Sequence, residues 1–158
     1  MIEYAPDIKI AAGYRKGKDL ASCAPPNVDR TSFKILVVDD NVDSAISMAM
    51  LLRMSGNDTR IAHDGEAALQ MADGFRPDLI LLDIGLPKLD GYEVARRIRA
   101  QEWGKPMHLI AVTGWGQDED RRNTAAAGFD VHMVKPVNLE SLEQLLLRLR
   151  RPAGADAR

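Results

Sequence analysis

Four apolar runs in this chain each end in a polar residue with chemistry to offer. Ile35-Leu36-Val37-Val38 runs into Asp39-Asp40, Leu79-Ile80-Leu81-Leu82 into Asp83, Leu109-Ile110-Ala111-Val112 into Thr113, and Val131-His132-Met133-Val134 into Lys135-Pro136. A fifth signal, Leu86-Pro87 followed by Asp90-Gly91, marks a turn just past Asp83. Parallel strands share one C-terminal edge, and open α/β folds place their ligands along it. Three carboxylates, a hydroxyl and an ammonium would then converge there. Carboxylates gathered that closely repel one another unless positive charge sits among them. A hard divalent cation with oxygen ligands meets that need. A carboxylate can also attack phosphorus to form an acyl phosphate. A compact, flexible lysine ammonium beside a metal would stabilise the oxygens of the transferred group. Plainer readings exist: an acidic pair at a helix N-terminus for Asp39-Asp40, a solvated charge for Lys135, a β-branched strand end for Thr113. With all of these residues present in one order, the plainer readings lose ground.

From residue 34 onward, short strands alternate with amphipathic helices. The strands are apolar throughout, which implies burial on both faces, as in a parallel sheet covered by helices. Ala68, Met71, Ala72 and Phe75 form one helical stripe, and Leu142, Leu145, Leu146 and Leu149 another. Gly56, Gly74, Gly104 and Gly128 are the expected helix stops. Asp64, Asp90 and Asn138 are the expected N-caps, with Asp90 and Glu93 at capping-box spacing. Thr59–Ala62 is the weakest strand and is expected at an edge. Five βα units result. Met1–Ser32 differs in character, with scattered charges, Gly13, Gly17 and Ala24-Pro25-Pro26-Asn27; only Ile8-Lys9-Ile10-Ala11-Ala12 shows apolar patterning. The expected organisation is a flexible leader over 1–32, one domain over 33–151 and a frayed tail over 152–158, ending before any output domain.

A chain of 158 residues with 46% apolar content suits one packed domain with tails. Its net charge of −2 gives no general attraction to nucleic acid or anionic lipid. The basic cluster Arg15, Lys16 and Lys18 is offset by Glu3, Asp7, Asp19 and Asp29. No apolar run approaches the roughly 18 residues of a membrane span, and the N-terminus lacks a secretion pattern. Cys23 stands alone and can form no internal disulfide, which fits a reducing cytoplasm. His63, His108 and His132 lie next to a turn or in strands, so none presents itself on a polar helix face as a phosphodonor. No nucleophile elbow or P-loop signature occurs.

At Ile35–Asp43, Leu79–Gly91, Val112–Gly116 and Val134–Val137 the chain resembles the receiver domain of two-component response regulators, and the likeness extends over Phe33 to Arg150. The resemblance implies a flavodoxin-like, doubly wound α/β fold: a five-stranded parallel sheet in the order 2-1-3-4-5 with five helices. It implies Asp83 as phosphoacceptor, Thr113 as switch hydroxyl and Lys135 as the phosphate-pairing lysine, with Lys135-Pro136 cis. It implies Mg²⁺ as cofactor, held by Asp40, Asp83 and the backbone carbonyl of Gly85, with Asp39 acting through water. His132 replaces the aromatic usual three residues before the lysine and is the expected partner of Thr113 in a switch. That histidine, with Gly128-Phe129-Asp130 and Thr113-Gly114-Trp115-Gly116, is similar to receivers attached to hybrid sensor kinases. Neither Gly85 nor Trp115 offers a group to orient a hydrolytic water, so the phosphorylated form is expected to be long-lived. The expected function is that of a phosphoacceptor without conventional enzymatic turnover. Its expected partners are a histidine kinase or histidine phosphotransfer protein and an unidentified downstream protein, with no nucleic acid and no membrane; a weak homodimer stays open. A phosphorylation-independent docking module and a metallophosphatase are the competing readings. Mg²⁺ binding with acyl-phosphate labelling, and phosphate release, respectively discriminate them.

Overall fold

The structure, a computed structural model, describes residues 8–10, 32–114 and 118–150. The remainder of the expected leader, the loop residues 115–117 with Trp115, and the expected tail lie outside the described residues. Five parallel strands, β2 (Lys34–Val38), β3 (Asp58–Ala62), β4 (Leu79–Asp83), β5 (His108–Thr113) and β6 (Val131–Val134), stand side by side as β3-β2-β4-β5-β6. Counted over the parallel strands this is the 2-1-3-4-5 order. Five helices connect or follow them: α1 (Val42–Met54), α2 (Gly65–Phe75), α3 (Gly91–Ala100), α4 (Asp118–Ala127) and α5 (Leu139–Arg150). As expected, the polar-alternating β3 takes one edge.

Alternation along the strands explains their unbroken apolar character. Ile35, Val37, Leu79, Leu81, Ile110, Val112, Val131 and Met133 point to one side and pack with Ala45 and Leu52 of α1 and Leu142, Leu145, Leu146 and Leu149 of α5. Leu36, Val38, Ile80, Leu82, Leu109 and Ala111 point to the other and meet Ala68 and Ala72 of α2, Val94, Ala95 and Ile98 of α3, and Ala127 of α4. Each buried Val, Leu or Ile is worth about 1.5–3 kcal/mol relative to exposure, so both layers clamp the sheet and hold its C-terminal edge in place.

Among the described residues the sheet has one strand beyond the five. β1 (Ile8–Ile10) runs antiparallel to β6, with Ile8 opposite Met133, Lys9 opposite His132 and Ile10 opposite Val131. An edge strand presents unpaired N–H and C=O groups, and an extended segment of the same chain satisfies them. This is the one piece of the expected leader with apolar patterning.

Asp64, Asp90 and Asn138 cap α2, α3 and α5 as expected, accepting from the backbone N–H of Ala67, Glu93 and Ser141. Gly56 and Gly128 take φ of +88° and +101° where α1 and α4 stop. Gly74 instead lies inside α2, and Arg76 takes the left-handed turn at φ 52°. Pro77 follows Arg76 and disfavours a helical conformation there. Arg76 also bonds Asp73 and lies over the Trp103 ring. Gly104 closes a short 3₁₀ turn (Glu102–Gly104) after α3, where a Cβ would collide with the Ile98 carbonyl.

Candidate functional site

The register of the strands assembles the site. Val38 of β2 stands opposite Leu82 of β4, so Asp39 and Asp83 emerge from neighbouring strand ends. Thr113 of β5 stands opposite Val134 of β6, and Lys135 follows immediately. The Asp39, Asp40 and Asp83 carboxylates come together with ligand atoms within 4.8 Å of one another. Among the described residues this is the one such group of acidic, histidine or cysteine side chains. Lys135 reaches it from two strands away, a separation of about 9.5 Å, which suits a long, unbranched side chain. Its Nζ donates to Asp83 Oδ2 at 2.8 Å and to Asp39 Oδ2 at 3.2 Å. The Lys135-Pro136 bond is cis.

Backbone groups hold the remaining carboxylate oxygens. Asp39 Oδ1 accepts from the Asn41 N–H and Asp83 Oδ1 from the Gly85 N–H, each at 2.9 Å. Asp39 and Asp83 are buried, whereas Asp40 is exposed. The N-cap of α1 is Asn41, whose Oδ1 accepts from the Ser44 N–H. The acidic pair therefore does not serve as the helix cap. One ammonium against three carboxylates leaves negative charge uncompensated. Burial alone would lower the Lys135 pKa, but the hydrogen bond and charge of Asp83, then the charge and hydrogen bond of Asp39, outweigh it, and the net shift is upward from 10.5. Lys135 is thus a fixed cation at neutral pH. The three hard oxygen donors, mutually close and short of positive charge, fit a Mg²⁺ ion.

The family profile for the response regulator receiver domain matches residues 35–147. The chain belongs to the response regulator receiver family. Response regulator MprA of Mycobacterium ulcerans (strain Agy99) is 37% identical over 119 residues, covering 75% of this chain and 49% of that protein. Transcriptional regulatory protein PrrA of Mycobacterium tuberculosis (strain H37Rv) is 38% identical over 127 residues, covering 80% and 54%. The chain thus spans about half the length of the curated relatives it matches. The chemotaxis response regulator CheY4 of Vibrio cholerae superposes with a TM-score of 0.71 at 30% identity, over 75% of this chain and 99% of that one. The receiver domain of sensor histidine kinase PA1611 of Pseudomonas aeruginosa PAO1, solved with a magnesium ion in its active-site cleft, gives a TM-score of 0.69 at 36% identity, over 75% and 98%. Response regulator receivers work in two-component systems, where they interact with histidine kinases. No helix among the described residues is long and apolar enough to cross a membrane.

The two expected switch residues of this receiver lie on neighbouring strands. His132 stands opposite Ala111, and Thr113 is two residues further along β5, so the two share the α4 face of the sheet. Both are buried, and His132 Nδ1 lies 3.5 Å from Thr124 Oγ1 of α4. Three further residues shape the site beyond those assigned to it from the sequence. Asn41 anchors Asp39 while capping α1. His63 places Nδ1 3.0 Å from the Asp39 carbonyl. Gly91 closes the turn after Asp83, where a Cβ would stand 2.5 Å from the Asp83 carbonyl oxygen and 2.7 Å from Ile84 Cα. The Asp90-Gly91 pair signalled the turn; nothing local signalled the backbone packed beneath it.

Proposed function

We propose that this receiver accepts a phosphoryl group on Asp83 from a phosphohistidine of a histidine kinase or histidine phosphotransfer protein. The observation that carries this reading is the Lys135 ammonium bridging Asp83 and Asp39, with Asp40 alongside, at the C-terminal edge of a parallel sheet. An Asp83 carboxylate oxygen forms the new O–P bond as the N–P bond breaks, and the imidazole leaves with that electron pair. Asp40, Asp83, the Gly85 carbonyl and, through water, Asp39 would hold Mg²⁺. That ion supplies positive charge among the carboxylates and toward the phosphoryl oxygens. Lys135 supplies the second positive charge from its own side of the site. The Gly85 N–H and Asn41 N–H hold the two buried carboxylates so that little reorganisation accompanies reaction. Thr113 offers a hydroxyl to a phosphoryl oxygen. With His132 on the same face, it biases the packing of α4 and β6 toward a second arrangement.

The surface beside the site suits such a donor. Val42, Ile46, Met50 and Met54 recur every fourth residue along α1 and are exposed. This apolar stripe begins two residues after Asp40, and uncovered stripes of this kind mark docking surfaces. A helical donor protein laid along α1 would bring its histidine over Asp83. The protein acts by stoichiometric phosphorylation in the cytoplasm, without enzymatic turnover. Its downstream target is a protein surface that distinguishes the two packings. Incubation with Mg²⁺ and acetyl phosphate should add one phosphoryl group by intact mass, and Asp83→Asn should abolish the addition. Equal labelling of the Asp83→Asn protein overturns the assignment.

A further inference from the structure

We propose that β1 is a releasable edge strand whose pairing with β6 is coupled to the Asp83 site, so that phosphorylation frees Ile8–Ile10 and bares the outer edge of β6. This rests on the phosphoacceptor reading and adds a regulatory element outside the parallel sheet.

β6 is the element common to both places. Its outer edge pairs with β1 at three positions and its inner edge with β5 at four. Its last residue, Val134, runs directly into Lys135 with no intervening loop. Before phosphorylation the Lys135 ammonium is committed to the Asp83 and Asp39 carboxylates. Once an Asp83 oxygen is bonded to phosphorus, the negative charge moves outward onto the phosphoryl oxygens. The ammonium must re-aim to follow it. The Lys135 backbone is tied to β5 by its N–H to the Thr113 carbonyl at 2.8 Å, so the displacement enters at the β5–β6 junction.

The shorter, outer ladder is the one that yields. Three antiparallel residues form a marginal pairing by themselves, whereas β6 is also held by Val131 and Met133 in the core. The middle pair couples a third element, because His132, opposite Lys9, also contacts Thr124 of α4. The chain between β1 and β2 is long enough for both the paired and the released state. β1 lies four strands from β2, about 19 Å, and the chain from Ile10 to Phe33 can extend to about 75 Å. A site and a segment that both bias the position of β6 are coupled reciprocally.

The test is hydrogen exchange by mass spectrometry on the full chain, before and after labelling with Mg²⁺ and acetyl phosphate, with phosphorylation of each sample read by intact mass. Amides of Ile8–Ile10 and the outward amides of β6 should exchange at least about fivefold faster after labelling, the low end of typical coupling. Asp83→Asn should show no change. Successive N–H groups of an antiparallel strand alternate toward and away from the partner, so Lys9→Pro with Ile10→Pro removes at least one ladder donor. That double variant should be labelled normally, exchange fast at β6 beforehand, and show no further response. Unchanged or slower exchange in a fully labelled wild type overturns the coupling while leaving Asp83 as acceptor. Identical exchange at β6 in the unlabelled wild type and double variant overturns the strand itself. Absence of labelling removes both readings together.

Discussion

Replacing Asp40 by asparagine should stabilise the metal-free protein while destroying its response to Mg²⁺. The Asp39, Asp40 and Asp83 carboxylate oxygens lie within 4.8 Å of one another, and Lys135 bonds to Asp39 and Asp83. Two like charges at 4.8 Å repel by about 0.9 kcal/mol in water and about 3.5 kcal/mol at the effective dielectric of a protein surface. Asp40 enters two such pairs. Its exposure places both near the aqueous end, and the Lys135 ammonium bonded to the other two carboxylates offsets about half, so Asp40→Asn relieves about 1 kcal/mol in total. For a domain of this size that raises the melting temperature by about 3–5 °C. The assay is calorimetric melting of wild type and variant in EDTA and across a Mg²⁺ titration. Mg²⁺ at a hundred times its dissociation constant should stabilise the wild type by about 2.7 kcal/mol, and the variant hardly at all, so the two melting curves cross. The gain in EDTA should shrink at about 1 M salt, where the screening length falls to about 3 Å. If the variant melts at or below the wild type in EDTA, the carboxylates do not repel as their spacing requires, and the case for a cation between them weakens with it.

Gly91→Ala places a methyl group against the Asp83 carbonyl and Ile84 Cα. Because both are backbone, it should cost about 3 kcal/mol and roughly 10 °C of melting temperature, and labelling by acetyl phosphate should slow; a melting point close to wild type refutes the rigid contact. The raised pKa of Lys135 makes an alkaline prediction. Its contribution to stability is complete below the unfolded value of 10.5 and is lost as pH rises through the higher folded value. The difference in melting temperature between wild type and Lys135→Met should therefore stay constant from neutrality up to 10.5 and change above it; a difference already changing near neutrality counts against it. On α1, Ile46→Glu with Met50→Glu should leave labelling by acetyl phosphate intact. It should cut transfer from a phosphorylated histidine kinase or phosphotransfer protein by about tenfold or more. Equal transfer would move the docking surface elsewhere.

The features legible in the sequence were those encoded over a few residues. The caps Asp64, Asp90 and Asn138 each bond an N–H three residues on, so local spacing contains the whole interaction. Thr59–Ala62, the weakest strand by its apolar content, likewise announced an edge strand, and β3 alternates between exposed and buried residues there. Reading failed where a long-range contact overrides a local preference. Gly74 looked like a helix stop, but Pro77 and the Arg76–Trp103 stack moved the turn to Arg76. Arg99, on α3, shows none of its partners in the sequence around it. It donates to the carbonyls of Gly104, Met107 and Gly128 and to the Asp130 carboxylate, tying together two loops no short window contains. β1 pairs across more than 120 residues through only three positions, so its apolar patterning was visible in the sequence but its partner strand was not.

For the site, the sequence by itself determined the inventory: which carboxylates, hydroxyl and ammonium follow which apolar run, and in what order along the chain. Strand ends must be polar where they leave a sheet buried on both faces, so the pattern of burial alone marks these positions. What only the tertiary structure decided is their convergence. Asp39 and Asp83 are 44 residues apart and become neighbours because β2 pairs with β4, while Lys135 crosses 96 residues to bond Asp39. Strand order depends on how α1 and α5 share one face of the sheet and α2, α3 and α4 the other. That arrangement distributes many weak contacts over the whole domain and is written in no single segment of it.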